Sequence, residues 1–158
     1  MDNKNFIGVG GLVVLSDRYL LVKHTYGEYK GLWILPGGHV EAAEHIDEAV
    51  EREVFEETTI KAFAKQIVSV RSRVRSENCT DCYIVFQMEY VSGTPLSDNN
   101  ENDAARFFSI EEINCLENIV VLARIIINSH HKKSLSNIPR NIEITPYKND
   151  NKILKLFI

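Results

Sequence analysis

The chain has 158 residues, of which 44% are hydrophobic and 25% charged, with a formal net charge of −4. This is the profile of a single globular domain with room for a substantial core, and it excludes disordered and fibrous classes. The acidic balance argues against broad nucleic-acid binding, no apolar run is long enough for a membrane span, and three cysteines fit a reducing compartment, so a cytoplasmic protein is expected.

In chain order, residues 6–15 are apolar but contain Gly8, Gly10 and Gly11. No basic region precedes them and no small-residue cleavage site follows, so they read as a strand rather than a signal peptide. With residues 19–24 they form an antiparallel pair through Ser16-Asp17-Arg18. Residues 32–35 are a short extended piece leading into Leu35-Pro36-Gly37-Gly38, where a fixed φ and two glycines make a breaker loop able to bring main-chain groups close to a ligand. Ile46, Ala49, Val50 and Val54 then recur at three- and four-residue spacing, the stripe of a helix that runs to about Thr58 and can lie on a sheet. No Ser, Thr, Asp or Asn immediately precedes Ile46, so its start is weakly marked.

Residues 62–74 and 83–91 read as two further strands. Cys79 and Cys82 between them form a C-x-x-C without a second pair, which leaves a zinc site unsupported; a redox pair competes with two small residues near the start of a strand. Ser97 to Asp103 is a polar surface loop, and residues 104–108 form a short strand. Ser109 with Glu112 makes a capping box that opens a helical region reaching, with room for a break, about Ser129. Residues 141–147 and 152–158 pair as a hairpin around Lys148-Asn149-Asp150-Asn151. It either covers the domain's own sheet edge, the preferred reading, or pairs with a second copy in a homodimer.

The most informative stretch is residues 38–60. Glu53, Glu56 and Glu57 stand at i, i+3 and i+4, one face of a helix. Like charges this close repel unless a cation sits among them, and a hard divalent ion that takes oxygen ligands suits the site.

The stretch resembles the Nudix box, G-x5-E-x7-R-E-U-x-E-E-x-G-U with U a bulky aliphatic residue. Gly38, Glu44, Arg52, Glu53, Val54, Glu56, Glu57 and Ile60 match in register, and Gly31 to Gly38 resemble the usual lead-in. One position departs: Thr59 stands where the pattern has its second glycine, at the helix end, where a left-handed residue is common and a β-branched one disfavoured. The resemblance covers roughly residues 6–128 and implies an α/β/α sandwich with a mixed sheet. The expected layout is a Nudix domain over residues 1–130 and a C-terminal hairpin extension over 131–158 packed on it.

The resemblance also implies chemistry. Glu53, Glu56 and Glu57, helped by the carbonyl of Gly37, would hold Mg²⁺, with Mn²⁺ as a substitute. Arg52 would orient the glutamates and Glu44 would pair with Arg52. Glu53 is the first choice of general base; Glu101 or Asp103 in the polar loop would be the alternative, as base or further ligand. For the substrate, Gly38 and the flanking Tyr26, Tyr29 and His39 are candidates for phosphate or base contacts, while Trp33 reads as core. Arg71, Arg73 and Arg75 alternate and so share one strand face, either as a phosphate-gripping row or as an exposed sheet face.

The expected function is Mg²⁺-dependent cleavage of the pyrophosphate linkage in a nucleoside diphosphate-linked compound, with a nucleoside triphosphate or related nucleotide as the leading class. Further candidates are an inactive nucleotide-sensing domain, an ADP-ribose hydrolase and an RNA-end pyrophosphohydrolase. The downstream proline associated with ADP-ribose hydrolases is absent, Arg75 standing there; Ser76, Glu77 and Asn78 occupy the place of the tyrosine associated with dinucleoside polyphosphate hydrolases, and the NADH-type SQPWPxS motif is missing too.

Overall fold

The structure is a computed structural model that describes residues 5–132, 139–142 and 154–157. Its centre is a mixed nine-stranded sheet, in which β1 (Phe6–Leu15) runs parallel to β6 (Cys79–Ser92) and every other pairing is antiparallel. The spatial order is β3 (Trp33–Ile34), β2 (Arg18–His24), β1, β6, β5 (Lys61–Ser76), β9 (Leu154–Phe157), β8 (Pro139–Ile142). Two strands lie off this path: β4 (Gly37–His39) on β1 and β7 (Asn102–Phe108) on β2.

Period-two patterning splits the core into two layers. On β1, Val9 and Val13 face α1 (Ile46–Thr58), where they join Leu20, Val50, Val54 and Phe86. Leu12 faces the opposite way, with Tyr19, Leu21 and Val85, against α2 (Ile110–Cys115) and α3 (Val121–His131). Helices therefore cover both faces of the sheet, which is the expected α/β/α sandwich. Gly11 belongs to the α1 face, where an added Cβ would come within 2.4 Å of Val54, so its missing side chain lets the helix pack down.

Local chemistry explains most boundaries. Ser16 and Asp17 take φ of 49° and 59°, the consecutive left-handed pair that a tight hairpin needs. Although His45 precedes α1 in place of a common cap residue, the Glu48 carboxylate accepts from its N–H, and Asp47 and Glu48 place negative charge in the first turn. The Ser109–Glu112 capping box closes reciprocally at 3.3 and 2.7 Å. The expected break in the last helical region falls at residues 116–120, where the Trp33 backbone pairs with Asn118 and Val120.

Two features differ from the sequence reading, and the C-terminal end departs from it in its bounds alone. The strands β5 and β6 are longer, meeting at a turn through Glu77-Asn78, so Cys79 opens β6 and both cysteines are free and part-buried. The glycine pair is not a free loop but a short strand on β1, with Gly8 opposite His39 and Gly10 opposite Gly37. At the C-terminal end, β8 and β9 pair antiparallel and β9 lies on the edge of β5, while α3 continues past residue 130 to His131. The expected hairpin turn at residues 148–151, with the neighbouring residues 143–153, lies outside the described residues.

Candidate active site

The helix α1 places its three glutamates in three environments. Glu56 points outward, Glu53 lies against Gly38, and Glu57 turns beneath the glycine pair, only 2% exposed. This arrangement requires the glycines. Gly37 has φ of +154°, and a Cβ there would lie 2.1 Å from the Val9 carbonyl oxygen; at Gly38 it would lie 2.5 Å from the Glu53 carboxyl carbon.

Arg52 organises the cluster. Its Nε and Nη2 donate to the two oxygens of Glu44 at 2.7 and 2.9 Å, a forked pair. Its Nη1 donates to Glu53 at 3.0 Å and to Glu56 at 3.1 Å, and Nη2 also reaches the His39 carbonyl at 3.1 Å. One guanidinium thus ties the helix to the strand that carries the glycines. The bond from Arg52 holds the Glu44 carboxyl down at about 2, and the Glu44 bond raises Arg52 in turn.

Glu57 is the outlier. Oε2 accepts the Gly37 N–H at 2.8 Å, whereas Oε1 is buried with no hydrogen-bond partner. Burial, against the opposing Gly37 bond and with the charges of Glu53, Glu101 and Asp98 added, pushes its carboxyl up to about 8. His24 Nε2 lies 3.9 Å from Oε1, but burial lowers the His24 pKa, which makes it a poor counter-ion at neutral pH. Burial also raises Glu53, in spite of Arg52. Among the described residues no three acidic, histidine or cysteine side chains already converge on a metal position, and Arg52 stands between Glu53 and Glu56. Even so, an all-oxygen donor set around a buried, unpartnered carboxylate oxygen fits a hard divalent cation.

The neighbouring loop closes over this end. Asp98 accepts the N–H groups of Asn100, Glu101 and Asn102; burial opposes its ionisation, but these bonds hold its pKa down. Thr25 bonds the carbonyls of Asn100 and Glu101, and the Tyr26 hydroxyl donates to Glu101 Oε2 at 2.8 Å. Burial and that bond push Tyr26 up to about 12. Asn102 is fully buried and donates to the Glu57 carbonyl, satisfying one of the last carbonyls of α1. Next to it Thr59 keeps the left-handed conformation, with φ of 60°, and its hydroxyl donates to the Thr94 carbonyl at 2.9 Å. A β-branched residue thus takes the backbone form that favours glycine, with one side-chain bond to offset the strain.

A cleft of about 680 Å³ joins these parts. Gly37, Gly38, His39, Arg52, Glu53, Glu56, Tyr26, Tyr29, Glu101, Arg71, Arg73 and Arg75 all line it. Asp103 is exposed on β7 and Glu44 supports Arg52; neither lines the cleft. Trp33 packs partly buried on the α3-side core, edge-on to Phe108 at 4.6 Å. The reading of the arginine row as an exposed sheet face fails for Arg71 and Arg73, which are 7% and 6% exposed, and holds in part for Arg75, which is exposed but stands over the Phe6 ring. Four contributors escaped the sequence reading: His24, Asn102, Asp81 and Tyr83. Asp81 forms an ion pair with Arg71, and the Tyr83 ring lies over Gly8 and Gly10. The glycines at residues 8 and 10, alternate positions on a strand, were the available signal that a large ring lies there.

The family described as NUDIX domain matches residues 4–128. A Methanocaldococcus jannaschii protein named ADP-ribose pyrophosphatase is 32% identical over 108 residues, covering 68% of this chain and 63% of its own length. The chain therefore spans less than two thirds of that relative. A protein of Escherichia coli K12 named Phosphatase NudJ is 30% identical over 111 residues, covering 70% of this chain and 72% of its own. Among solved structures, a NUDIX hydrolase from Nitrosomonas europaea superposes with a TM-score of 0.71 at 26% identity, over 82% of this chain and 90% of that one.

Proposed function

Because this chain belongs to the Nudix hydrolase family, we propose that it is a Mg²⁺-dependent pyrophosphohydrolase that cuts the pyrophosphate linkage of a nucleoside diphosphate-linked compound. The observation that carries the reading is Glu57: a carboxylate buried under the glycine pair, with one oxygen unpartnered, is stable as an anion only beside a cation.

In this reading Glu53, Glu56 and Glu57, with the Gly37 carbonyl, hold the metal, and Mn²⁺ can replace Mg²⁺. Held there, Mg²⁺ would supply charge neutralisation for the diphosphate oxygens and a lowered pKa for an attacking water. Arg52, fixed by Glu44, holds Glu53 and Glu56 at their positions. Glu53 is the proton acceptor of first choice, since it lines the cleft and burial raises its carboxyl pKa. Glu101, held by Tyr26 across the same cleft, is the second candidate. Gly38, His39, Tyr26, Arg71 and Arg73 line the path for the substrate.

A nucleoside triphosphate or related nucleotide is the leading substrate class, and the name of the archaeal relative puts ADP-ribose beside it. A cytoplasmic location belongs to the same proposal, in keeping with three free cysteines; no helix among the described residues is long and apolar enough to cross a membrane. The test is product release from a panel of nucleoside triphosphates, ADP-ribose and capped RNA, with Mg²⁺ and with EDTA. Mg²⁺-dependent release of phosphate, pyrophosphate or nucleotide supports the proposal. Tight binding of one compound with no turnover of any would replace it with a sensing role.

A further inference from the structure

The cleft has two ends of opposite charge. His39, Gly8, Tyr83 and Arg71 sit side by side in register on β4, β1, β6 and β5. Three strand spacings separate the glycine pair, against which Glu53 lies, from the arginine row, a distance of about 14 Å. The near end carries the box glutamates. The far end carries Arg71, Arg73 and Arg75, with the Asp81 carboxylate opposite Arg73 on β6. Counting Arg71 and Arg75 alone against Asp81 leaves a positive charge there.

Arg71 is built in rather than solvated. It is 7% exposed, its Nη2 bonds Asp81, its guanidinium stands over the Tyr83 ring at 5.4 Å, and its Nε has no hydrogen-bond partner. A buried guanidinium with an unused donor is costly unless an acceptor arrives. Between the two ends Tyr83 offers a flat aromatic floor, because Gly8 and Gly10 give it room on β1.

We propose, building on the diphosphate reading above, that the preferred substrate carries a second anionic group, a phosphomonoester or carboxylate, on a part of the molecule remote from the scissile linkage. That group docks on Arg71 and Arg75 while the diphosphate lies at the glutamate end. A plain nucleoside triphosphate concentrates its charge at one end and leaves the arginine end unmatched, which narrows the leading class above to related nucleotides that carry a remote anion.

Two matched pairs test this: coenzyme A against its 3′-dephospho form, and UDP-glucuronate against UDP-glucose. Initial rates in Mg²⁺ give the KM ratio within each pair, and where nothing is turned over, calorimetry in the same buffer gives the ratio of Kd. The anionic member of at least one pair should be favoured about tenfold or more. Arg75→Gln, at an exposed position that should not disturb folding, should raise KM or Kd for that anionic member at least fivefold more than for its neutral partner, and Arg71→Lys should act in the same sense. Ratios near one in both pairs, or equal losses for both members in Arg75→Gln, overturn the inference. Turnover without a preference would keep the hydrolase reading and remove this one. A preference in binding without turnover would do the reverse.

Discussion

Glu57→Gln separates a metal ligand from a structural acid. In metal-free protein the Glu57 carboxyl sits at about 8 instead of its ordinary 4.5, so the folded state holds a proton that the unfolded chain has released. Stability is then fully present below about pH 4.5 and falls as pH rises toward 8. The groups facing Glu57 are His24 from β2, the Gly37 N–H from β4, Glu53 on its own helix, and Asp98 and Glu101 from the loop. At pH 7 the displacement amounts to about 3 kcal/mol, of which about 2–3 is lost between pH 5 and pH 7. For a domain of this size that is a Tm decrease of roughly 5–10 °C. Glutamine has nearly the same shape, keeps an acceptor for the Gly37 N–H and does not titrate. In EDTA, Glu57→Gln should therefore flatten this part of the Tm–pH curve and be the more stable protein at pH 7. In Mg²⁺ it should lose turnover and the metal-induced rise in Tm shown by the wild type. Scanning calorimetry at pH 5, 6 and 7, with and without Mg²⁺, reads both arms. Near-normal metal-dependent turnover in the variant, or an unchanged wild-type-like pH slope, would refute the reasoning.

Four further outcomes are expected. Arg52→Lys keeps the charge but loses the fork on Glu44 and the shared bond to Glu53 and Glu56, so the Mg²⁺ concentration for half-maximal activity should rise roughly 10–100-fold with a small change in Tm. Gly37→Ala puts a Cβ 2.1 Å from the Val9 oxygen at a φ of +154°, and should cost at least about 2–3 kcal/mol in urea unfolding. Thr59→Val removes the bond to Thr94 but keeps the β-branch in a left-handed residue, costing about 0.5–1.5 kcal/mol. Thr59→Gly should stay within about 1 kcal/mol of wild type, because relief of strain offsets the lost bond and the added freedom of the unfolded chain, and urea midpoints check both.

What was legible in the sequence was what local spacing dictates. Residues three and four apart on a helix must share a face, so Glu53, Glu56 and Glu57 could be placed together before any fold was known. The capping box at Ser109 was readable for the same reason, whereas the place of the break before α3 depends on the Trp33 backbone pairing with Asn118 and Val120. Boundaries of β5 and β6 were not, because Arg75, Ser76 and Cys79 have no strong strand preference and are held extended by cross-strand pairing. The sequence also gave no hint that Gly37 and Gly38 pair with β1, since that depends on Gly10 being opposite Gly37.

The far side of the cleft was ambiguous for a deeper reason. Alternation puts Arg71, Arg73 and Arg75 on one face, but whether that face is wet or covered depends on Tyr83, Asp81 and α3, which lie elsewhere in the chain. The same holds for His24 and Asn102, which reach Glu57 from the end of β2 and the start of β7. A box motif carries the invariant end of the chemistry because a metal and a diphosphate always demand the same oxygens at the same pitch. On the reading proposed above, recognition of the rest of the substrate is assembled across β4, β1, β6 and β5, each with one residue in the row. No short stretch contains it, so the bond to be cut is read along one helix, whereas the identity of its bearer is read across four strands.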